Sequence, residues 1–206
     1  MKKTKIGAGA LLSPAPPAMV TCRDEGGRAN IITIAWTGIV CTRPPKTYIS
    51  VRPERFSYDI IKSTGEFIIN LTSKELVKKA DLCGMKTGRK IDKFKECQLT
   101  EEEADGFSAP MIAESPMSLC CKVSEIIPLG SHDMFLADIE SIYVDETLFD
   151  KNGKLCLDKA DLCAFSHGEY FEMGKKLGNF GFSVAKKKSK KPHTTQKNQP
   201  NLNKKH

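Results

Sequence analysis

Runs of apolar and β-branched residues, separated by short polar turns, predict that strands form most of this chain. Residues 30–40 show the pattern best, because isoleucine, valine, threonine and tryptophan suit a pleated surface. In a strand, Ile32, Ile34 and Trp36 would lie on one face, and the opposite face would be small and hydroxylated. A flat ligand could lie against that second face and bond to the backbone, although a plain half-buried strand would give the same pattern.

The same patterning predicts a mainly β fold with short helices. Pro44 and Pro45 remove two backbone donors and end the first run. The predicted strands are Ala18–Arg23, 30–40, 47–51, Glu66–Leu71, 117–127 and 131–144, with hairpin turns in 24–28 and 149–157. The predicted helices are 58–64, capped by Ser57 and ended by Gly65, and 73–83, ended by Gly84, with a further short turn starting at Thr100.

A basic, hydroxyl-bearing corner precedes the first predicted helix. It consists of Arg52, Arg55 and Ser57. A helix N-terminus attracts anions through its free N–H groups and its dipole, so this corner could hold one phosphate group. Solvated surface arginines beside an ordinary helix cap would look the same in the sequence.

Seven motifs follow one another along the chain. They are NIITIAWTG from residue 30, RPP from 43, SVRPERFS from 50, GEFIINL from 65, KTGRKIDKF from 86, LGSHD from 129 and LGNFGFS from 177. Together they resemble the flavin reductase-like FMN-binding proteins, specifically the flavoredoxin-like branch, over roughly residues 6–184. The resemblance implies a split β-barrel that forms a homodimer and binds FMN near the subunit interface.

The strand, the corner and the resemblance together give the expected site. The expected FMN contacts are Asn30, Thr33, Ala35, Trp36, Thr37, Cys41, Ser50, Val51, Arg52, Arg55, Ser57, Thr87, Gly88 and Lys93. Backbone N–H groups of residues 33–37 would approach the ring, and Arg55, Ser57 and Lys93 would hold the phosphate. Trp36 is expected in the core or at the dimer contact rather than stacked on the flavin. His132 is the expected catalytic residue, because the resemblance puts a histidine near the substrate side of the flavin. An imidazole there could orient a hydride donor. The alternative is that His132 is a partly exposed loop histidine without a catalytic role.

Charge and composition divide the chain unequally. A length of 206 residues with 40% apolar content is enough for one domain, expected over residues 1–185. Residues 186–206 carry eight lysines and no acid, so the formal charge of +7 leaves −1 on the rest. We expect this lysine-rich tail to be disordered. Binding of nucleic acid or an acidic partner is the alternative, which the lack of interleaved aromatic residues disfavours.

The N-terminus and the cysteines bear on the compartment. The apolar run 6–12 is short and ends in prolines, so it is not interpreted as a signal peptide, and no run approaches membrane-spanning length. The eight cysteines form no CxxC pair, which argues against a zinc site. Most are interpreted as buried thiols in a reducing cytoplasm, and Cys41 lies next to the proposed ring site.

The chemistry expected from these residues is carried by the cofactor. The chain has no Walker A or GxGxxG motif and no Ser-His-Asp set, and His167 with Glu169 is too few ligands for a metal site. Flavin chemistry needs no such set, because the isoalloxazine carries the redox steps. We expect an FMN-dependent oxidoreductase that accepts a hydride from NAD(P)H and passes electrons to flavin, ferric iron or a protein acceptor. The alternative is an electron carrier without NAD(P)H turnover of its own.

Overall fold

Antiparallel strands dominate the computed structural model, which describes residues 1–185. The strands are β1 Ala18–Arg23, β2 Ala29–Ile34, β3 Thr37–Thr42, β4 Pro45–Val51, β5 Glu66–Leu71, β6 Glu101–Glu102, β7 Met111–Ile112, β8 Met117–Pro128, β9 Asp133–Val144, β10 Cys163–Ser166 and β11 Glu169–Glu172. Seven of them form one sheet in the order β2-β1-β5-β8-β9-β4-β3, while β6 pairs with β7 and β10 with β11. The predicted mainly β fold is confirmed.

The helices are short and connect the strands. They are α1 Phe56–Thr64, α2 Val77–Met85 and α3 Lys93–Glu96, with 3-10 turns at Lys74–Leu76, Glu146–Leu148 and Leu157–Lys159. Residues 175–185 belong to a separate compact unit and contain a 3-10 turn at Phe182–Val184. The lysine-rich tail, for which we predict disorder, lies outside the described residues.

The sheet closes on itself because its two edge strands are consecutive in the chain. Only Ala35 and Trp36 separate β2, at one edge, from β3, at the other. Such a link spans at most about 11 Å, so the two edges must approach each other. The Ser50 N–H of β4 donates to the Trp36 carbonyl at 3.0 Å, which holds the link in place. The predicted single strand over 30–40 is therefore wrong, because the chain crosses between edges there.

Both faces of β2 are covered near the crossing. Ile32 and Ile34 belong to the main apolar core, which also contains Phe67 and Phe135 from neighbouring strands. Ile31 points the other way, into a second cluster beneath α2 and α3. The strand alternation predicted for this run is thus confirmed as far as Ile34, and it explains why a helix can lie across the outer face of β2.

Two helix boundaries differ from the predictions for a physical reason. Helix α1 begins at Phe56 with Arg55 as its N-cap, and Ser57 lies buried within the first turn. Gly65 ends α1 as predicted, at φ 68° with its N–H donating to the Ile61 carbonyl at 2.9 Å. Gly84 does not end α2, which continues to Met85. A Cβ on Gly84 would lie 3.4 Å from Thr33 Cβ, so this position of α2 packs directly against β2.

The turn predicted at Thr100 is also wrong. Residues Glu101–Glu102 form β6, paired with β7. The reason is that the Thr100 N–H and hydroxyl donate to Glu114 Oε1, both at 3.0 Å, so the capping carboxylate comes from a distant residue. The long β8–β9 hairpin and the β1–β2 hairpin, where Gly27 has φ 85°, are confirmed.

Within residues 1–185, no helix is long and apolar enough to cross a membrane. In the same part of the chain, no group of three or more His, Cys, Asp or Glu side chains is placed to hold a metal ion.

Candidate functional site

Three adjoining cavities lie between the start of α1 and the N-terminal segment, residues 9–16. The basic cavity, of about 410 Å³, is lined by Asn30, Ile32, Arg52, Glu54, Arg55, Phe56, Ser57, Lys86, Thr87, Gly88 and Lys93. The middle cavity, of about 160 Å³, is lined by Ile32, Thr33, Ile34, Ala35, Trp36, Ser50, Val51, Arg52, Arg55 and His132. The apolar cavity, of about 440 Å³, is lined by residues 9–12 and 14–16 with Ala35, Trp36, Thr37, Tyr48 and Ser50. The basic and middle cavities share Ile32, Arg52 and Arg55, and the middle and apolar cavities share Ala35, Trp36 and Ser50. The three therefore adjoin, and together they are called the groove.

The basic cavity is strongly cationic. Two arginines, Arg52 and Arg55, and two lysines, Lys86 and Lys93, line it against one carboxylate, that of Glu54. Helix α1 also begins in its wall, and the first turn of a helix favours an anion through its dipole and N–H groups. This end of the groove therefore suits a phosphate.

Lys93 is buried, and its ammonium group makes two hydrogen bonds to backbone carbonyls. Its Nζ donates to the carbonyls of Ile31 and Cys83, both at 2.6 Å, and so ties β2 to the end of α2. Burial lowers the pKa of the ammonium, and the nearby Arg55 lowers it further. An ammonium group has three N–H bonds, so one remains for a ligand in the cavity.

Gly88 has no room for a side chain. A Cβ there would lie 2.1 Å from Asn30 Oδ1 and 2.6 Å from Phe56 Cδ1. The Gly88 carbonyl accepts a hydrogen bond from Arg28 Nη2, and Asn30 Nδ2 donates to Ser57 Oγ at 2.7 Å. The glycine thus lets the loop 86–92 pack directly on β2 and α1, which shapes the cavity wall.

Sequence reasoning missed several residues around Phe56. The guanidinium carbons of Arg28 and Arg89 lie 5.2 and 5.4 Å from the centre of its ring, a distance typical of cation–π contact. Arg89 Nη1 also donates to the Glu54 carbonyl at 3.2 Å. The positive charge of residues 86–90 was visible in the sequence, but the pairing with Phe56 depends on the fold.

His132 and Trp36 meet in the middle cavity. Their ring centres are 4.6 Å apart and tilted by 45°. Ser131 Oγ lies 3.0 Å from His132 Nδ1. Burial lowers the pKa of His132, and the positive charge of Arg52 lowers it further, which favours the neutral ring. A neutral imidazole can donate one hydrogen bond and accept another.

Trp36 is 45% exposed, so the predicted core location is wrong. The side chain lies on the link between the two sheet edges, which puts it outside the closed barrel. Its alternative location, a contact between subunits, stays a prediction.

The N-terminal segment forms one wall of the apolar cavity. Its position is fixed by Ala15 and Phe165, whose N–H and carbonyl groups exchange hydrogen bonds of 2.9 and 2.8 Å. The lining side chains carry no formal charge at neutral pH. The groove is therefore charged at one end and uncharged at the other.

The structure brings together nearly all of the predicted contacts. Half of them line the basic cavity, namely Asn30, Arg52, Arg55, Ser57, Thr87, Gly88 and Lys93. The middle cavity is lined by Thr33, Ala35, Trp36, Ser50, Val51 and the predicted catalytic residue His132. Thr37 lines the apolar cavity. Cys41 lies further along β3, paired with Lys46, and lines none of the three. Thr33 Oγ1 donates to the Ala80 carbonyl at 2.6 Å.

Comparison with known proteins adds the family. The model of the flavin reductase like domain matches residues 11–171. The chain belongs to this family. Flavoredoxin of Desulfovibrio vulgaris (Miyazaki F) has 31% sequence identity and a TM-score of 0.83, over 89% of this chain and 100% of that one. The predicted flavoredoxin-like branch and split-barrel fold are therefore confirmed.

Two sequence relatives complete the comparison. An uncharacterised protein of Aeropyrum pernix is 30% identical over 143 residues, which is 68% of this chain and 54% of that protein. The chain thus spans about half the length of that relative. The FMN reductase (NADH) RutF of Pseudomonas syringae is 24% identical over 124 residues, 60% of this chain and 67% of that one. The family is one of flavin-binding oxidoreductases and electron-transfer proteins.

Proposed function

We propose that the chain binds FMN along the three cavities and works as an FMN-dependent oxidoreductase with NAD(P)H as its electron donor. The observation that carries this proposal is the charge distribution of the groove. Four cationic side chains gather at one end and uncharged residues line the other. FMN has the same division, because a phosphate and a flat ring lie at opposite ends of a neutral ribityl chain.

The basic cavity fits the phosphate in charge and in donors. Arg52, Arg55 and Lys86 offer charge-assisted bonds, and Ser57 and Thr87 offer hydroxyl groups. Each charge-assisted bond contributes roughly 1.5–3 kcal/mol, so the loss of one weakens binding without abolishing it. Lys93 adds a buried positive charge whose position is fixed by two carbonyls.

The middle and apolar cavities fit the ribityl chain and the ring. Ala35 and Trp36 line both cavities, and the backbone N–H groups of this link would bond to the ring. The N-terminal segment covers one side and limits the access of water. Bound FMN supplies the hydride-accepting and electron-transferring chemistry. The protein binds and orients the reactants, and neutral His132 holds a donor or acceptor hydrogen bond beside them.

A homodimer is part of this proposal. Trp36 on the link and Ile39 and Val40 on β3 are 45%, 61% and 52% exposed. Burying these exposed apolar side chains against a second copy would remove them from water. Light scattering of the purified protein tests the dimer. The eight cysteines are free thiols. A reducing cytoplasm stays the proposed compartment.

The alternative function is electron transfer between proteins without NAD(P)H turnover. The 31% identity to a flavoredoxin over that protein's whole length favours it. Anaerobic addition of NADH or NADPH separates the two functions. Rapid bleaching of bound FMN supports the oxidoreductase, whereas bleaching only by a reduced protein donor contradicts it and supports the carrier.

A further inference from the structure

Cys83 and Cys97 stand at the two ends of the loop that lines the basic cavity. Cys83 lies in the last turn of α2, and Cys97 directly follows α3. The segment between them includes Lys86, Thr87 and Gly88, all of which line the cavity. A covalent bond between the two cysteines would therefore join the ends of this loop.

The two sulfur atoms are already neighbours. Cys83 Sγ and Cys97 Sγ lie 3.8 Å apart within the cluster beneath α2 and α3, and the two residues are 0% and 6% exposed. A disulfide has an S–S distance of about 2.05 Å, so the sulfurs must approach by about 1.8 Å. Both residues are free thiols in this structure.

We propose that Cys83 and Cys97 are an oxidative modification site, at which hydrogen peroxide forms an intramolecular disulfide that fixes the cavity loop. One peroxide molecule oxidises the first thiol to a sulfenic acid and releases water. The second thiol attacks that sulfur, the S–S bond forms, and a second water leaves. The two thiols thus lose two electrons and two protons, and the peroxide is reduced to two waters.

Lys93 connects the thiol pair to the cavity from both sides. Its Nζ donates to the Cys83 carbonyl at 2.6 Å, and its own carbonyl accepts from the Cys97 N–H at 3.0 Å. A bond between the two cysteines would restrict both of these backbone partners at once. The loop would then open less often, and a ligand held by it would leave more slowly.

Burial slows the oxidation of Cys83, and the nearness of the two sulfur atoms decides which thiols become joined. Burial and the neighbouring Cys97 sulfur raise the pKa of Cys83 to about 12, although the Lys93 ammonium opposes this. Cys22 is an internal control, because burial also raises its pKa to about 12, yet its Sγ faces the Asn30 carbonyl instead of a sulfur. A difference in oxidation between Cys22 and Cys83 therefore reports proximity rather than acidity.

The full chain, treated with hydrogen peroxide, unfolded, alkylated and digested, tests the cross-link by peptide mass mapping. The expected product is a peptide pair joined through Cys83 and Cys97, lighter by two hydrogen atoms and released by dithiothreitol, while Cys22 is alkylated. Cys97→Ala should abolish the pair. Full alkylation of Cys83 and Cys97 in the peroxide-treated chain, or equal oxidation of Cys22, would overturn the proposal.

The effect on the loop rests on the proposed function and has its own readout. FMN release, followed by the recovery of flavin fluorescence on dilution, should be several-fold slower after cross-linking and should return to the original rate with dithiothreitol. Peroxide-treated Cys97→Ala should show no change. Equal release rates would overturn the claim that the bond fixes the loop. Failure of the reduced protein to bind FMN would instead refute the proposed function and leave the peptide map valid.

Discussion

Replacing Gly88 with alanine tests the cavity wall at its tightest point. The new Cβ would lie 2.1 Å from Asn30 Oδ1 and 2.6 Å from Phe56 Cδ1, well inside van der Waals contact. Neither neighbour moves freely, because Asn30 Nδ2 bonds to Ser57 and Phe56 packs against Arg28. The loop must therefore move away from β2 and α1.

The magnitude follows from the cost of overpacking. Forcing one extra carbon into a packed site costs about 1–3 kcal/mol. If the loop returns to its place when the phosphate binds, that cost appears in binding, and FMN affinity falls by roughly 5- to 150-fold. If the loop stays displaced, the contacts of Thr87 and Lys86 are lost and the affinity falls at least as far.

Fluorescence titration of FMN into apoprotein measures the loss, with thermal unfolding beside it. Gly174→Ala is the matched control, because a Cβ at that glycine meets nothing within 4 Å. We expect weaker FMN binding for Gly88→Ala and unchanged binding for Gly174→Ala. Wild-type affinity together with wild-type stability in Gly88→Ala would refute the packing argument and the assignment of this loop to the cofactor.

Three further predictions concern charge, catalysis and pH. Arg55→Ala removes one charge-assisted bond and should weaken FMN binding by roughly ten- to a hundredfold in a fluorescence titration. Arg43 is exposed and lies outside the basic cavity, so Arg43→Ala should leave FMN binding unchanged. Equal effects of the two substitutions would contradict the phosphate assignment. His132→Gln should slow anaerobic flavin reduction by NAD(P)H about tenfold or more while FMN affinity changes little, because it removes an orienting group; an unchanged stopped-flow rate would contradict its role. The pKa of buried Cys22, raised to about 12, means that the unfolded thiol ionises first, so the free energy of unfolding should fall as pH rises from 9 to 12. Urea unfolding should show about 1.4 kcal/mol less stability per pH unit from this group. Cys83, whose pKa is also raised to about 12, adds a slope of its own, so Cys22→Ala should reduce the total slope without removing it, and an unchanged slope would contradict the assignment.

Local patterns in the sequence predicted most strands of the main sheet. The candidate site residues came from the basic corner together with the family resemblance, and their contacts with a cofactor stay a prediction. Three features are set by residues adjacent in the sequence and lie where they were expected. They are the hairpin before β2, the corner at Arg52 and the left-handed glycine Gly65 at the end of α1. Gly84 could not be interpreted locally, since α2 continues past it to Met85 and packs against β2 at Thr33. The same holds for Ser57, whose hydroxyl bonds to Asn30 rather than capping a helix.

Contacts between distant segments account for the rest. Closure of the barrel at Trp36 depends on which strands form the edges, and no period in the run 30–40 reveals that. The engagement of Lys93 with Ile31 and Cys83, and the approach of Cys97 to Cys83, likewise exist only in the folded chain.

The most direct test of the account is the flavin content of the purified protein, followed by titration of the apoprotein with FMN. We predict a visible flavin spectrum, or uptake of one FMN per chain, with a flavin fluorescence change that Arg55→Ala weakens and Arg43→Ala does not. A protein that is colourless at purification and takes up no added FMN would contradict the central claim.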